Sequence, residues 1–285
     1  MFTLYLTLII LQQVLSDSSN LCLNDDETLV KVEQYLEKFT VYKKQNDIGS
    51  SCKSLEFSQA IKRFLKKELG LEQSDTITDE LLKIMKEDRC GNIESGVQEQ
   101  TQFKWQNPLD ITYCFNYKNA TENDETMYIY LETEAIQVAL NDWSFNANIE
   151  FRQVNPDWVE STFWELQQSC GLAFRFASGD HSWMHPGPSK GFDGPGGVLA
   201  HAFFPGLGDV HFDKDEDWDW DETKNKKSLY YVALHEVGHS LGLTHSADPT
   251  AVMYPTYRPS NAKNGLPSDD VQRIQALYGK YIKIK

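Results

Sequence analysis

Residues 235–245 read His235-Glu236-Val237-Gly238-His239-Ser240-Leu241-Gly242-Leu243-Thr244-His245. On a helix, His235 and His239 stand four apart on one face, so both imidazoles can reach a single ion. Glu236 follows directly and is better placed to hold a water than to ligate. Gly242 can take positive φ, which ends the helix and folds the chain back until His245 becomes a third ligand. Three such ligands suit zinc and leave its fourth position to water, as catalysis requires. A bare H-E-x-x-H arises by chance on amphipathic helices; the extension through Gly242 and His245 makes this one specific. Met253 follows eight residues later, and alone it reads as core filler.

Composition bounds what surrounds this stretch. A chain of 285 residues with 40% hydrophobic and 12% aromatic content is globular and has room for one or two domains. Its formal net charge of -15 argues against nucleic acid or an anionic membrane as partner and is compatible with carboxylate calcium sites. Residues 2–11 form an apolar run too short to span a bilayer. With Val14 and Ser16 before Asp17, it reads as a signal peptide over 1–16, the alternative being a buried N-terminal helix. No later segment is apolar enough to cross a membrane, so secretion is expected. In an oxidising compartment, five cysteines leave one thiol to be explained. Asn119-Ala120-Thr121 is a possible glycosylation site.

Apolar spacing predicts helices over 27–45, 54–69 (stopped by Gly70) and 78–87, a small helical bundle. Residues 91–107 read as a linker. Strands are expected over 111–117, 149–154 and 172–177, with a helix near 126–143 between the first two. Residues 178–222, rich in Gly, His, Asp and Pro, read as loop suited to metal ions. The active-site helix is expected at about 228–241, and a last helix over 269–278 capped by Ser268. The order indicates an α/β or α+β domain.

Cys90 lies in Asp-Arg-Cys-Gly-Asn at 88–92, at the boundary between bundle and domain. A thiolate is a good fourth zinc ligand, and in the open position it would exclude water. With the zinc motif, this identifies the chain as resembling the matrix metalloproteinases, matrixins among the metzincins, in the short form without a hemopexin domain. The resemblance covers nearly all of 17–280. It runs through 32–39, 80–86, Lys104-Trp105, 192–195, 199–203, 211–213, the zinc helix, Asp269-Asp270 and 274–279.

The resemblance implies an α+β architecture: a helical propeptide over 17–96, then a metzincin catalytic domain over 97–285 with a twisted, mostly parallel sheet and three helices. It implies a secreted zinc endopeptidase, made latent by Cys90, that acts on extracellular matrix proteins such as collagen with Glu236 as general base. Implied partners are those substrates, an activating protease and protein inhibitors of metalloproteinases; the chain is expected to be a monomer. Met253 becomes the Met-turn beneath the zinc, and Tyr231 sets the depth of the pocket for the residue after the scissile bond. A structural zinc maps onto His181, His201 and His211. The family's aspartate two residues after the first histidine is Trp183 here, so His185 or a water is left as fourth ligand. Calcium maps onto Asp193, Gly194, Gly196, Asp213 and Glu216, and Asp209 resembles a ligand of another calcium. The implied disulfides are Cys22–Cys52 and Cys114–Cys170. The chain departs from the family in lacking prolines around Arg89-Cys90-Gly91: Asp88 and Ile93 stand there, and Glu94 replaces the closing aspartate. No basic cluster precedes residue 104, and the mature N-terminus is expected within 94–98. Two competing readings are a non-catalytic, metal-stabilised secreted binding protein and an astacin-like enzyme; the propeptide cysteine disfavours the latter.

Overall fold

The computed structural model describes residues 26–43, 55–72, 77–93, 103–115, 125–154, 170–181, 191–221 and 226–281. The signal peptide, Cys22, Cys52, Asn119, Trp183, His185 and residues 94–98 lie outside the described residues. The chain forms two compact units: Met1–Lys86 with Ile93–Gly96, and Glu87–Asn92 with Val97–Lys285. The Cys90 segment thus belongs by its contacts to the second unit.

In the first unit, α1 spans Asp26–Phe39, α2 Leu55–Arg63 and α3 Asp79–Ile84. Leu29, Val32 and Leu36 of α1 and Phe57 and Ile61 of α2 are all buried, at the helical spacing that suggested these elements. Helix α1 stops short of residue 45. Thr40 turns its hydroxyl onto the Leu36 carbonyl (2.6 Å) and accepts from the Tyr42 N–H (3.1 Å), a local bond that competes with further helix. Tyr42 is still buried, its hydroxyl donating to Glu33 (3.0 Å). Helix α2 continues as a π-helical turn, Phe64–Glu68. The Thr78 hydroxyl caps α3 by accepting from the Leu81 N–H (3.2 Å).

The second unit is built on a six-stranded sheet. Its strands are β1 (Arg89–Cys90), β2 (Ile111–Phe115), β3 (Phe151–Gln153), β4 (Leu172–Ala177), β5 (Val198–Ala202) and β6 (Val210–Asp213). Their order is β1-β5-β6-β4-β2-β3, and every neighbouring pair is parallel except β5 with β6. A two-stranded ribbon, β7 (Trp218–Asp219) and β8 (Lys227–Ser228), leads into the active-site helix.

Strands β5, β6 and β7 correct the reading of 178–222 as loop. Every residue of β5 and β6 is buried, so neither shows the polar–apolar alternation of a half-exposed strand. Their histidines read as metal-loop residues but lie within the sheet.

Among the described residues the unit carries three α-helices, α4 (Glu125–Asn146), α5 (Leu229–Ser240) and α6 (Ser268–Tyr278), and a 3-10 turn at Pro259–Ala262. Fully buried Trp143 of α4 donates its indole N–H to the Leu234 carbonyl of α5 (2.9 Å), joining the two helices in the core. Helix α6 starts one residue earlier than expected. Pro267 holds the cap position and no side chain caps the helix, so Ser268 is its first residue rather than its cap.

Cys114 on β2 and Cys170 just before β4 form a disulfide, across strands that pair in parallel register. It closes a span of 56 residues. Replacing both cysteines by alanine is expected to cost about 2–4 kcal/mol, read as a lowered Tm; an unchanged Tm would show that the bond adds nothing.

Candidate metal and catalytic centre

Ser228 caps α5 by accepting from the Tyr231 N–H (3.2 Å). The helix then presents His235, Glu236 and His239, all buried. It ends at Ser240, and Gly242 follows with φ of 103°. A Cβ at Gly242 would collide with the Phe103 carbonyl, so both the turn and the close approach require glycine. The turn returns His245 to the helix.

Each ring of the helix pair is oriented by a backbone carbonyl. His235 Nδ1 lies 2.7 Å from the Val252 carbonyl, and His239 Nδ1 lies 2.7 Å from the Leu243 carbonyl. A carbonyl only accepts, so each Nδ1 carries the proton and each Nε2 is left with its lone pair. His245 Nε2 lies 3.2 Å from both His239 Nε2 and His235 Nε2. Cys90 Sγ joins them, 3.5 Å from His239 Nε2. All four ligand atoms lie within 4.8 Å of one another. Lone pairs converging this closely repel unless a cation sits among them, and a three-nitrogen, one-sulfur set fits tetrahedral zinc.

Electrostatics support the same reading. Burial holds His235 down to about 4 and puts His239 and His245 well below the ordinary imidazole value. The triad therefore stays neutral, and able to ligate, at pH values where a free imidazole takes a proton. Burial, with the nearby Glu236 charge second, pushes the Cys90 thiol up, so a thiolate there needs a cation to offset it. Glu236 is 1% exposed. Its Oε2 has no hydrogen-bond partner among the described residues, and burial pushes its pKa up to about 8.

Met253 packs under α5, where a Cβ on Gly238 would strike its sulfur. The sequence reading gave no role to Asp270 beyond its place in a matching stretch. Fully buried, it accepts from the Val252 N–H (2.8 Å) and the Met253 N–H (3.1 Å). It thereby fixes the turn whose Val252 carbonyl orients His235.

His181, His201 and His211 form a second buried group. His201 on β5 and His211 on β6 are direct cross-strand partners. His201 Nε2 lies 3.1 Å from His211 Nδ1 and 3.2 Å from His181 Nε2. The Gly179 carbonyl lies 2.8 Å from His181 Nδ1 and orients that ring.

The expected calcium residues gather around the turn at 194–197. Asp193 accepts from the Val198 N–H (2.9 Å), and the Gly196 N–H donates to Glu216. Asp213 and Glu216 are both pushed up, mainly by burial. One oxygen of fully buried Asp213 has no hydrogen-bond partner among the described residues, which a hard cation would satisfy. Asp209, fully buried, pairs with buried Arg175 at 3.2 Å.

Retention of zinc tests the two histidine groups together. Equilibrium dialysis is expected to leave two zinc ions per chain at pH 6, with the ion of the 235–245 triad lost as pH falls towards 4. Release already between pH 7 and 6 would contradict the protected triad; one ion at neutral pH would mean the second group is not a zinc site.

Tyr231 is 2% exposed and stands one turn before His235. Its ring meets that of Tyr257 edge-on at 5.5 Å. It lines a pocket with Val232, Glu236, Tyr254, Thr256 and Tyr257. A large side chain held there shortens the pocket, so peptides with Leu after the cleaved bond are expected to outpace those with long aromatic residues. Tyr231→Ala is expected to reverse the order, and equal cleavage of both sets would refute this.

A family model described as Matrixin matches residues 104–279. The chain is 34% identical to human matrilysin over 254 residues, covering 88% of this chain and 85% of the relative. It is 36% identical to matrix metalloproteinase-18 of Xenopus laevis over 259 residues, covering 87% of this chain and 49% of the relative. With human neutrophil collagenase it shares 35% over 260 residues, covering 87% of this chain and 49% of the relative. It thus spans most of matrilysin but about half of the longer relatives. Matching this broadly around two histidine groups built for metal, the chain belongs to the matrixin family of zinc metalloendopeptidases, which use zinc and calcium.

Proposed function

We propose that the chain is a secreted, latent precursor which, once Cys90 leaves the triad, cleaves extracellular matrix proteins with Glu236 as general base. The observation that carries this is the buried meeting of three histidines and the Cys90 thiol, with adjacent Glu236 buried and one of its oxygens without a partner among the described residues. His235, His239 and His245 would hold the catalytic zinc, and His181, His201 and His211 the structural one. Asp193, Asp213 and Glu216, with the carbonyls of Gly194 and Gly196, would hold calcium. When bound, the catalytic zinc supplies a Lewis acid that polarises a peptide carbonyl and makes a water more acidic.

The residues do the rest. Glu236 takes the water's proton and passes it to the departing amine, a role open to a carboxylate buried directly beside the triad. In the precursor Cys90 occupies the position that water needs. Strand β1 lies on the outer edge of β5, where an extended substrate would otherwise add a strand. Among the described residues no helix is long and apolar enough to cross a membrane, and the resemblance to human neutrophil collagenase supports collagen-type substrates.

The test is cleavage of a peptide library and of denatured collagen by the full-length precursor before and after limited proteolysis. Activity is expected only after proteolysis, to be lost to a chelator and to return with zinc. A processed protein that cleaves nothing while holding zinc would favour the non-catalytic binding reading instead.

A further inference from the structure

The segment Glu87–Asn92 is a peptide lying in the cleft of its own enzyme, and its contacts show what that cleft accepts. Its backbone is held from both sides. Arg89 N–H donates to the Gly197 carbonyl (2.8 Å) and Gly91 N–H to the Ala200 carbonyl (2.8 Å). Cys90 N–H donates to the Pro255 carbonyl (3.1 Å), and Tyr257 N–H donates to the Asp88 carbonyl (2.7 Å). Beyond this, two side chains of the segment end on cations. Lys227 pairs with Asp88, and Arg258 Nη2 lies 3.1 Å from Glu87.

Contacts outside the segment hold both cations in place. Arg258 Nε donates to Thr256 Oγ1 (3.1 Å), and its guanidinium lies 4.9 Å from the centre of the Tyr254 ring. Lys227 Nζ lies 5.3 Å from the centre of the Tyr257 ring. Cation–π contacts of this kind orient a charge without neutralising it. Glu216 also feels the Lys227 charge, but one of its oxygens is taken by the Gly196 N–H. Tyr254, Thr256 and Tyr257 line the Tyr231 pocket, so the cations stand on that pocket's side of the histidine triad. Removing the segment takes away two carboxylates and leaves two positioned cations at the cleft rim. In a chain of net charge -15, such a pair is a local exception to the surrounding field.

We propose that Lys227 and Arg258 form a carboxylate-reading subsite in the activated enzyme. It favours substrates carrying Asp or Glu about two to four residues beyond the cleaved bond, the reach of an extended chain from Cys90 to Asp88 and Glu87. This rests on the reading above, in which Glu87–Asn92 vacates a peptidase cleft. The two residues position substrate and take no part in bond cleavage.

The experiment uses the full-length precursor activated by limited proteolysis, and a peptide set differing only at the second to fourth positions past the cleaved bond. Each partly exposed ion pair is expected to contribute about 2- to 3-fold in kcat/KM, so peptides with two acidic residues should exceed their Asn/Gln counterparts about 4- to 9-fold. Basic counterparts should fall below both, and the spread should shrink at high salt. The double variant K227E/R258E should reverse the order while cleaving the neutral peptide. Equal rates for acidic, neutral and basic peptides with the wild-type enzyme overturn the proposal without recourse to any variant. If every peptide resists the activated wild-type enzyme, the peptidase reading itself fails, a result distinct from cleavage without charge preference.

Discussion

Replacing Glu236 by alanine is expected to lower peptide cleavage by about 100- to 10,000-fold, the usual cost of losing a general base, while both zinc ions stay bound. The two halves of this expectation come from different atoms. Zinc retention depends on the three imidazoles, and the orienting bonds of His235 and His239 run to the Val252 and Leu243 carbonyls rather than to Glu236. Proton transfer depends on the carboxylate, buried beside the triad with one oxygen partnerless among the described residues and a pKa pushed up to about 8. Glu236→Gln separates shape from basicity, because it keeps the side chain's volume and removes its ability to take a proton; it should be nearly as inactive as the alanine variant. Zinc content is measured by metal analysis of the purified variants and activity with the peptide that the wild type cleaves best. Activity within a few-fold of wild type, with two ions bound, would remove Glu236 from the chemistry.

How much of this was legible in the sequence depended on whether chemistry or packing set the pattern. The zinc helix was legible because its ligands sit at helical spacing and Gly242 marks its end; the structure places that glycine at φ of 103°. Helices α1 to α3 were legible from apolar periodicity. Strands β5 and β6 were not, because burial of both faces removed the alternation that reveals a strand, and histidine and glycine around them imitated a loop. The far end of α1 was misread because Tyr42 continues the apolar spacing although Thr40 has already turned the backbone. Asp270 was visible as a residue but not as a support, since its two bonds reach residues seventeen and eighteen positions away. Asp88 was read as a missing proline. Its pairing with Lys227 joins positions 139 apart, and no local spacing announces that.

Cys90→Ser is expected to convert the latent precursor into one that cleaves peptide without prior proteolysis and processes itself. Two kinds of contact compete here. The thiol is the segment's bond to the metal site, and a serine hydroxyl, with a pKa far above that of a thiol, does not replace it as a zinc ligand. The remaining hold includes the backbone bonds to Gly197, Ala200, Pro255 and Tyr257, the bonds from the Gly197 N–H to Asp88 and the Ala202 N–H to Asn92, and the pairs with Lys227 and Arg258. Those backbone bonds contribute about 0.5–1.5 kcal/mol each, and partly exposed ion pairs about 0–1. Together they can keep the segment in the cleft for part of the time, but they leave the water's position open. The variant should therefore show activity at least about ten-fold above the wild-type precursor and still below the fully processed enzyme. Opening of the segment also exposes it to cleavage by another molecule, so self-processing should speed up with protein concentration. The measurement is peptide cleavage and chain length over time for the two precursors, with a chelator arm to arrest processing. A Cys90→Ser precursor that holds zinc, stays full-length and remains as inactive as wild type would assign latency to the backbone and ion-pair contacts and take it away from the thiol.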